Sequence, residues 1–272
     1  MDDTSPTPNA QDPADADPRT RVRRLWQPGL AGVGDGQTVE LEPEEAQHAA
    51  KVLRMREDEA VELFDGRGGV ATGVLTQIKA RHAVVRIEST QFIPAPQPPV
   101  TILAAAPKGA RLDSMTAMLV QAGVSRLVLL ETRRSVTEPR AGKLQRLHRV
   151  VLESCKQCGR AWSMGIEGPT PLASALTPAA SPSSVRLLAA PQGPPRHDLP
   201  VTLHGATEVG VLIGPEGGFT AEEQRAARDA GYEPWAVGAS IMRIETAAIA
   251  AAAVLGWALQ KPESSPPADG PL

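Results

Sequence analysis

Two rhythms of apolar and polar residues divide the chain. Between residue 21 and about residue 95, apolar side chains alternate in short runs: Thr38–Leu41, Ala60–Phe64, Val70–Ile78 and Ala83–Ile87. Period-two alternation rich in β-branched residues predicts strands with one buried face. Asp65-Gly66 and Gly68-Gly69 supply turn chemistry between two of these runs, since Asp can bond its own backbone and Gly accepts positive φ. One helix interrupts, Pro43 to Met55, where Ala46, Ala49, Ala50 and Leu53 recur at helical spacing. Pro94, Pro96, Pro98 and Pro99 then form a stiff, extended connection, which marks a boundary between a unit at 21–95 and a second at 96–261.

Beyond the prolines the rhythm changes to alternating strand and helix. Strands are expected at Val100–Ala106, Arg126–Glu131, Val185–Ala190, Val209–Ile213 and Glu233–Gly238. Helices are expected over Leu112–Ala122, ending at Gly123, and over Gly142–Cys158. A third runs from a Thr220 cap to Ala230, with Glu223 as capping-box partner, and an alanine-rich helix covers Glu245–Leu259. This alternation predicts an α/β unit whose mostly parallel sheet is covered on both faces.

Composition adds limits. A chain of 272 residues, 42% of them hydrophobic, can build a sizeable core. Residues 1–20 are Pro, Asp, Ala and Thr with no apolar periodicity, so an acidic disordered tail is expected there, and 262–272 reads the same way. No basic start leads into an apolar run, so no secretory signal is expected. The longest small-apolar stretch, Ala247–Leu255, is too short to span a bilayer. Two cysteines make no disulfide framework, and a reducing cytoplasm is the default.

The net charge of −3 conceals an uneven distribution. Residues 1–20 carry five Asp against one Arg, whereas 96–170 carry eleven basic against five acidic residues. Local charge is what attracts phosphate, so the basic sector points towards nucleic acid.

Three constellations could carry chemistry. In Leu212-Ile213-Gly214-Pro215-Glu216-Gly217-Gly218-Phe219-Thr220 an apolar strand enters a turn with three glycines, then a capped helix. Glycine lets a ligand approach the main chain, and open sheets bind ligands beyond the carboxyl ends of their strands. The spacing is neither a dinucleotide fingerprint nor a phosphate loop. In Val237-Gly238-Ala239-Ser240-Ile241-Met242-Arg243-Ile244-Glu245-Thr246 a strand again ends at glycine and a polar Arg-x-Glu-Thr opens a helix. Glu245 suits the positive end of the helix dipole, whereas a long cation between Met242 and Ile244 needs a partner. Third, the helix from Gly142 places Leu144, Leu147, Val151, Cys155 and Cys158 on one side and Lys143, Arg146, Arg149, Lys156 and Arg160 on the other. Charge of nearly one sign favours a phosphate-tracking face. Cys155-x-x-Cys158 is a lone pair on the apolar side, so packing is expected and zinc is not. Arg133 and Arg134, with Arg23, Arg24, Lys51 and Arg54 in the first unit, complete the candidate RNA contacts.

Taken together these segments resemble the RsmE family of 16S rRNA uridine-N3 methyltransferases, members of the SPOUT superfamily. The matching pieces are His48-x-x-x-Val52-Leu53-Arg54-Met55, Leu63-Phe64-Asp65-Gly66, Arg134-Ser135-Val136, Glu153-Ser154-Cys155-Lys156-Gln157-Cys158-Gly159-Arg160, Ile213-Gly214-Pro215-Glu216-Gly217-Gly218 and Met242-Arg243-Ile244-Glu245-Thr246. They stand in family order across nearly all of 21–260. The resemblance implies a PUA-like β-barrel at the N-terminus, then a SPOUT α/β domain with a trefoil knot, a topology that ordinary connection rules exclude. It implies a homodimer acting on 16S rRNA of the small ribosomal subunit, with S-adenosylmethionine held by three loops. Mapped by motif, these loops are Leu188, Ala189, Ala190 and Pro191; Leu212, Ile213, Gly214, Pro215, Glu216, Gly217 and Gly218; and Val237 and Gly238 through Ile241, Met242 and Arg243. The chain departs from the family pattern at Met118-Leu119-Val120-Gln121-Ala122, where a Lys and a Glu are usual, and at Ser240, where an Arg is usual.

Methyl transfer to uridine N3 needs an aligned donor and loss of the N3 proton, which leaves negative charge on O2 and O4. Arg243 is the expected charge stabiliser, and Glu216 or Glu245 the expected base or orienter, unless water accepts the proton. Neither leaving group nor nucleophile needs a Lewis acid, so no metal is expected. The main rival reading is a non-catalytic rRNA-binding assembly factor of the same fold. A nucleotide-using α/β enzyme is weaker, for want of a phosphate-loop lysine.

Overall fold

Short alternating runs become strands when a second layer covers their apolar side, and in the first unit one helical segment does this. The computed structural model describes residues 22–135, 141–177 and 181–260; both expected tails lie outside them, as does Val136 of the Arg-Ser-Val motif. The chain divides into two compact units, Met1–Phe64 with Val70–Gln91, and Asp65–Gly69 with Phe92–Leu272.

The first unit is a five-stranded sheet. Its strands are β1 (Arg23–Trp26), β2 (Thr38–Glu40), β3 (Ala60–Phe64), β4 (Gly69–Lys79) and β5 (His82–Phe92), in the order β1-β3-β4-β5-β2. Val61 and Leu63 of β3, Ala71 and Leu75 of β4, and Ala83, Val85 and Ile87 of β5 turn the same way and are buried. Each fully buried branched side chain contributes about 1.5–3 kcal/mol. Ala46 and Ala49 of the helical segment close this core. β1 was not expected from the pattern: Arg23-Arg24-Leu25-Trp26 is short and opens on two cations, yet Leu25 is fully buried and the strand pairs in parallel with β3.

The expected helix at Pro43–Met55 is broken into two windings. An α-helical turn, α1 (Pro43–Gln47), passes into a π-wound turn at His48–Val52, where Leu53 N–H donates to His48 O at 3.0 Å. Arg54 then sits at φ 54°, in the left-handed region that non-glycine residues avoid. Such windings and strained residues gather at functional sites.

The second unit is a six-stranded, all-parallel sheet in the order β11-β9-β10-β6-β7-β8. The strands are β6 (Val100–Ala105), β7 (Arg126–Glu131), β8 (Gly165–Pro171), β9 (Ser184–Ala189), β10 (Glu208–Ile213) and β11 (Glu233–Trp235). The helices are α2 (Arg111–Gln121), α3 (Ala141–Cys158), α4 (Leu172–Ala175), α5 (Leu199–Thr202), α6 (Ala221–Asp229) and α7 (Ile244–Ala258). Leu103, Val128, Leu130, Leu188 and Leu212 face one layer with Leu172, Phe219 and Ala227. α7 packs on β6 and β10, and α2 packs on both α3 and α7. Burial on two faces explains why these strands read as continuous apolar runs.

β8 also escaped the pattern. Gly165-Ile166-Glu167-Gly168-Pro169-Thr170-Pro171 reads as loop, but β8 is an edge strand, where prolines are tolerated, and the ladder shifts register between Val128 and Leu130. Among the described residues no helix is long and apolar enough to cross a membrane.

Candidate active site

Because β9, β10 and β11 are adjacent and parallel, the segments that follow them emerge at one edge of the sheet. The segment after β9 is tied to β11: Ala190 N–H donates to Trp235 O at 2.9 Å, and Ala236 N–H to Pro194 O at 3.0 Å. The segment after β10 turns on Gly218, at φ 67°, where Gly218 N–H donates to Pro215 O at 2.8 Å. It then enters α6 through the capping box, with Glu223 N–H on Thr220 Oγ1 and Thr220 N–H on Glu223 Oε2. The segment after β11 runs from Ala236 to Arg243, which caps α7 in an extended conformation without a side-chain cap bond.

These three segments enclose a cavity of about 430 Å³. Leu188, Ala189, Ala190 and Pro191 line it, as do Ile213 through Gly218, then Val237, Gly238, Ile241 and Met242. The turns around Gly217 and Gly238, far apart in sequence, therefore form one site. Leu212 is not in the wall; it is fully buried in the core cluster with Leu103, Leu130 and Phe219. Arg243 is not in the wall either, although Met242 and Ile244 on either side of it are; its side chain is exposed.

The walls also contain residues that sequence reasoning missed. Gln192, Phe219, Gln224, Arg228, Pro234, Ile244 and Ala247 line the cavity, as does Ser240 within the expected third loop. Gln224 and Arg228 lie four apart on α6, so helical spacing from the Thr220 cap carried a signal that they share a face.

Of the carboxylates, Glu216 lies in the wall and is exposed. Glu245 is not in the wall: its Oε1 faces Arg111 Nη1 at 3.5 Å, joining α7 to α2, while its Oε2 is buried without a hydrogen-bond partner. That geometry makes it a link between the two helices.

The basic residues separate into exposed and engaged groups. Arg23, Lys51 and Arg54 are exposed in the first unit, Lys51 and Arg54 on the π-wound turn and its exit beside Val52, itself 67% exposed. Arg133 and Arg134 are exposed after β7. Arg24, expected at the RNA surface, instead pairs with Glu62 and stacks its guanidinium 4.4 Å from the Phe64 ring centroid. The one-signed face of α3 is also partly neutralised, since Lys143 and Arg146 share Asp113 of α2 and Lys156 pairs with Glu153.

Arg160 is the clearest correction among the expected RNA contacts. Its Nη1 donates to Val120 O at 2.7 Å and Val124 O at 2.9 Å, satisfying carbonyls at the end of α2. Burial pushes its pKa below the usual arginine value. Hydrogen bonds from a charged group contribute about 1.5–3 kcal/mol. Arg160→Ala is therefore expected to cost about 2 kcal/mol of stability and to leave the salt dependence of RNA binding unchanged, as measured by denaturant unfolding and by binding at several ionic strengths.

Among the described residues, no group of three or more His, Cys, Asp or Glu could hold a metal ion. Cys155 is buried on the apolar side of α3.

The class follows from family matches. A family model described as an RNA methyltransferase domain matches residues 94–256, and an RNA methyltransferase PUA domain matches 41–88. The ribosomal RNA small subunit methyltransferase E of Synechocystis sp. is 28% identical over 232 residues, covering 82% of this chain and 74% of that protein. Its Mycobacterium bovis namesake is 27% identical, covering 86% and 89%. Among solved structures, a Legionella pneumophila methyltransferase in complex with S-adenosylmethionine superimposes with a TM-score of 0.74 at 30% identity, covering 88% of this chain and 98% of that one. The Neisseria gonorrhoeae rRNA small subunit methyltransferase E, bound to S-adenosylmethionine, gives 0.77 at 26% identity, covering 86% and 97%. The chain belongs to the RNA methyltransferase family, in its RsmE group.

Proposed function

We propose that the chain transfers a methyl group from S-adenosylmethionine to N3 of a uridine in 16S rRNA of the small ribosomal subunit. The observation that carries this reading is the cavity formed where three glycine-bearing segments meet at the carboxyl edge of β9, β10 and β11, in a chain whose relatives were solved with that cofactor. The same reading makes the second unit a trefoil-knotted SPOUT domain and the first a PUA-like barrel. It makes the protein a cytoplasmic homodimer.

The cavity fits the cofactor. Its volume falls in the range of about 300–1,000 Å³ typical of small-molecule sites. Leu188, Val237, Ile241 and Met242 supply apolar walls for a planar base. Gly214 and Gly218 leave main-chain groups approachable, and Arg228 supplies a positive charge for the carboxylate of the amino-acid end.

Bound S-adenosylmethionine supplies an activated methyl group on its sulfonium. The three segments fix its orientation, so that alignment with N3 contributes most of the acceleration. Glu216 accepts or orients the N3 proton at the cavity. The Arg243 guanidinium, outside the wall and facing solvent, stabilises charge on uridine O2 and O4 as the proton leaves. The N3–C bond forms as the S–C bond breaks, giving 3-methyluridine, S-adenosylhomocysteine and a proton.

The test is nucleoside mass spectrometry of 16S rRNA from cells lacking this protein. Loss of 3-methyluridine is expected, and an unchanged level overturns the assignment. Purified chain with labelled cofactor and 16S rRNA separates the rival reading, which requires RNA binding without transfer.

A further inference from the structure

The segment after β7 is built to present two arginines to different surroundings. Thr132 N–H donates to Ser135 Oγ at 3.0 Å, and Ser135 N–H to Thr132 O at 3.1 Å, closing a tight turn around Arg133 and Arg134. This turn is fastened to the segment after β10 at two points. Arg133 N–H donates to Glu223 Oε1 at 2.8 Å, and the other oxygen of that carboxylate caps α6 through Thr220 N–H. Arg134 Nη1 donates to Gly217 O at 2.6 Å. The Arg134 stem also lies along Gly217, where an added Cβ would stand 3.3 Å from its Cδ and 3.5 Å from its Cβ.

Gly217 lines the cavity, while Arg134 is exposed. A guanidinium has five N–H donors and a planar fork suited to phosphate. One carbonyl uses one of them, and the rest are left to the solvent side. The neutral Gly217 carbonyl cannot satisfy the charge, whereas a phosphate can, without Arg134 leaving the carbonyl.

We propose that Arg134 is a positioning residue that couples the two substrates: an RNA phosphate held by its outer donors fixes the guanidinium on Gly217 O, and so fixes the Gly214–Gly218 segment in its cofactor-binding form. This rests on the reading of the cavity as the S-adenosylmethionine site. Coupling of this kind is reciprocal, so cofactor in the cavity also strengthens RNA binding. Charge attraction alone would make Arg134 one more phosphate contact and would leave cofactor affinity indifferent to RNA.

The experiment is equilibrium dialysis of labelled S-adenosylhomocysteine against the full chain, with and without unmethylated 16S rRNA transcribed in vitro. In the wild type, RNA is expected to tighten S-adenosylhomocysteine about fivefold or more. In Arg134→Ala the ratio is expected to fall to about one. Gly217→Ala keeps every charge but presses a methyl group on the Arg134 stem, and is expected to lower the ratio. A wild-type ratio of one, or an undiminished ratio in Arg134→Ala, overturns the proposal. Failure of the wild type to bind S-adenosylhomocysteine at all overturns instead the reading of the cavity.

Discussion

Arg243→Ala is expected to lower single-turnover methyl transfer by about two to three orders of magnitude, the cost typical of losing one preorganised charge stabiliser, while cofactor affinity stays within a few fold. Arg243 holds an extended backbone at the start of α7, at φ −66° and ψ 160°. Its neighbours Met242 and Ile244 face the cavity, and the alternation of an extended chain turns Arg243 the other way, towards solvent. The side chain is therefore not a wall of the cofactor site, and its truncation leaves the lining of the cavity in place. It makes no capping bond to α7, so truncation removes no helix cap. Single-turnover rates at saturating RNA, with calorimetry of the cofactor, separate the two effects. Equal losses of rate and cofactor affinity would show that Arg243 only supports the segment after β11.

The elements that set the cavity were legible because their physics is local. The run into Gly214 and the Thr220-Glu223 capping box announce a strand end and a helix start, and adjacent parallel strands make their ends share an edge; the strand expected over Glu233–Gly238 ends earlier, at Trp235, so Gly238 lies in the segment beyond it. What escaped depended on partners distant in the chain. β8 looks like loop because its prolines are acceptable only at a sheet edge, a position no local window contains. Arg160 reads as one more surface cation, and the distinction from a buried cap lies in Val120 and Val124, forty and thirty-six residues earlier. Arg24 is likewise recognisable as engaged only once β1 lies beside β3, bringing Glu62 and Phe64 to it. The π-wound turn at His48 kept helical spacing in the sequence and changed only its winding, which periodicity does not resolve.

Gly193→Ala is expected to weaken S-adenosylmethionine binding tenfold or more, although Gly193 does not itself line the cavity. The methyl group would stand 2.8 Å from Trp235 N and 3.1 Å from both Ala190 O and Ala236 N. All three are backbone atoms, so no side chain can swing aside. They belong to the contacts that fasten the segment after β9 to β11, beside Ala190 N–H on Trp235 O and Gly193 N–H on Ala190 O. Making room means separating those two segments, which moves Pro191 and Gln192 on one wall and Val237 and Gly238 on the other. Overpacking of this kind costs about 1–3 kcal/mol, so a lower melting temperature accompanies the loss of affinity. Gly142→Ala is the control: a methyl group there meets nothing within 4 Å, and its place in α3 predicts a slight gain in stability with unchanged binding. Wild-type affinity in Gly193→Ala, measured by calorimetry, would mean that the spacing between the β9 and β11 segments does not set the cofactor site, because the substitution forces that spacing to change.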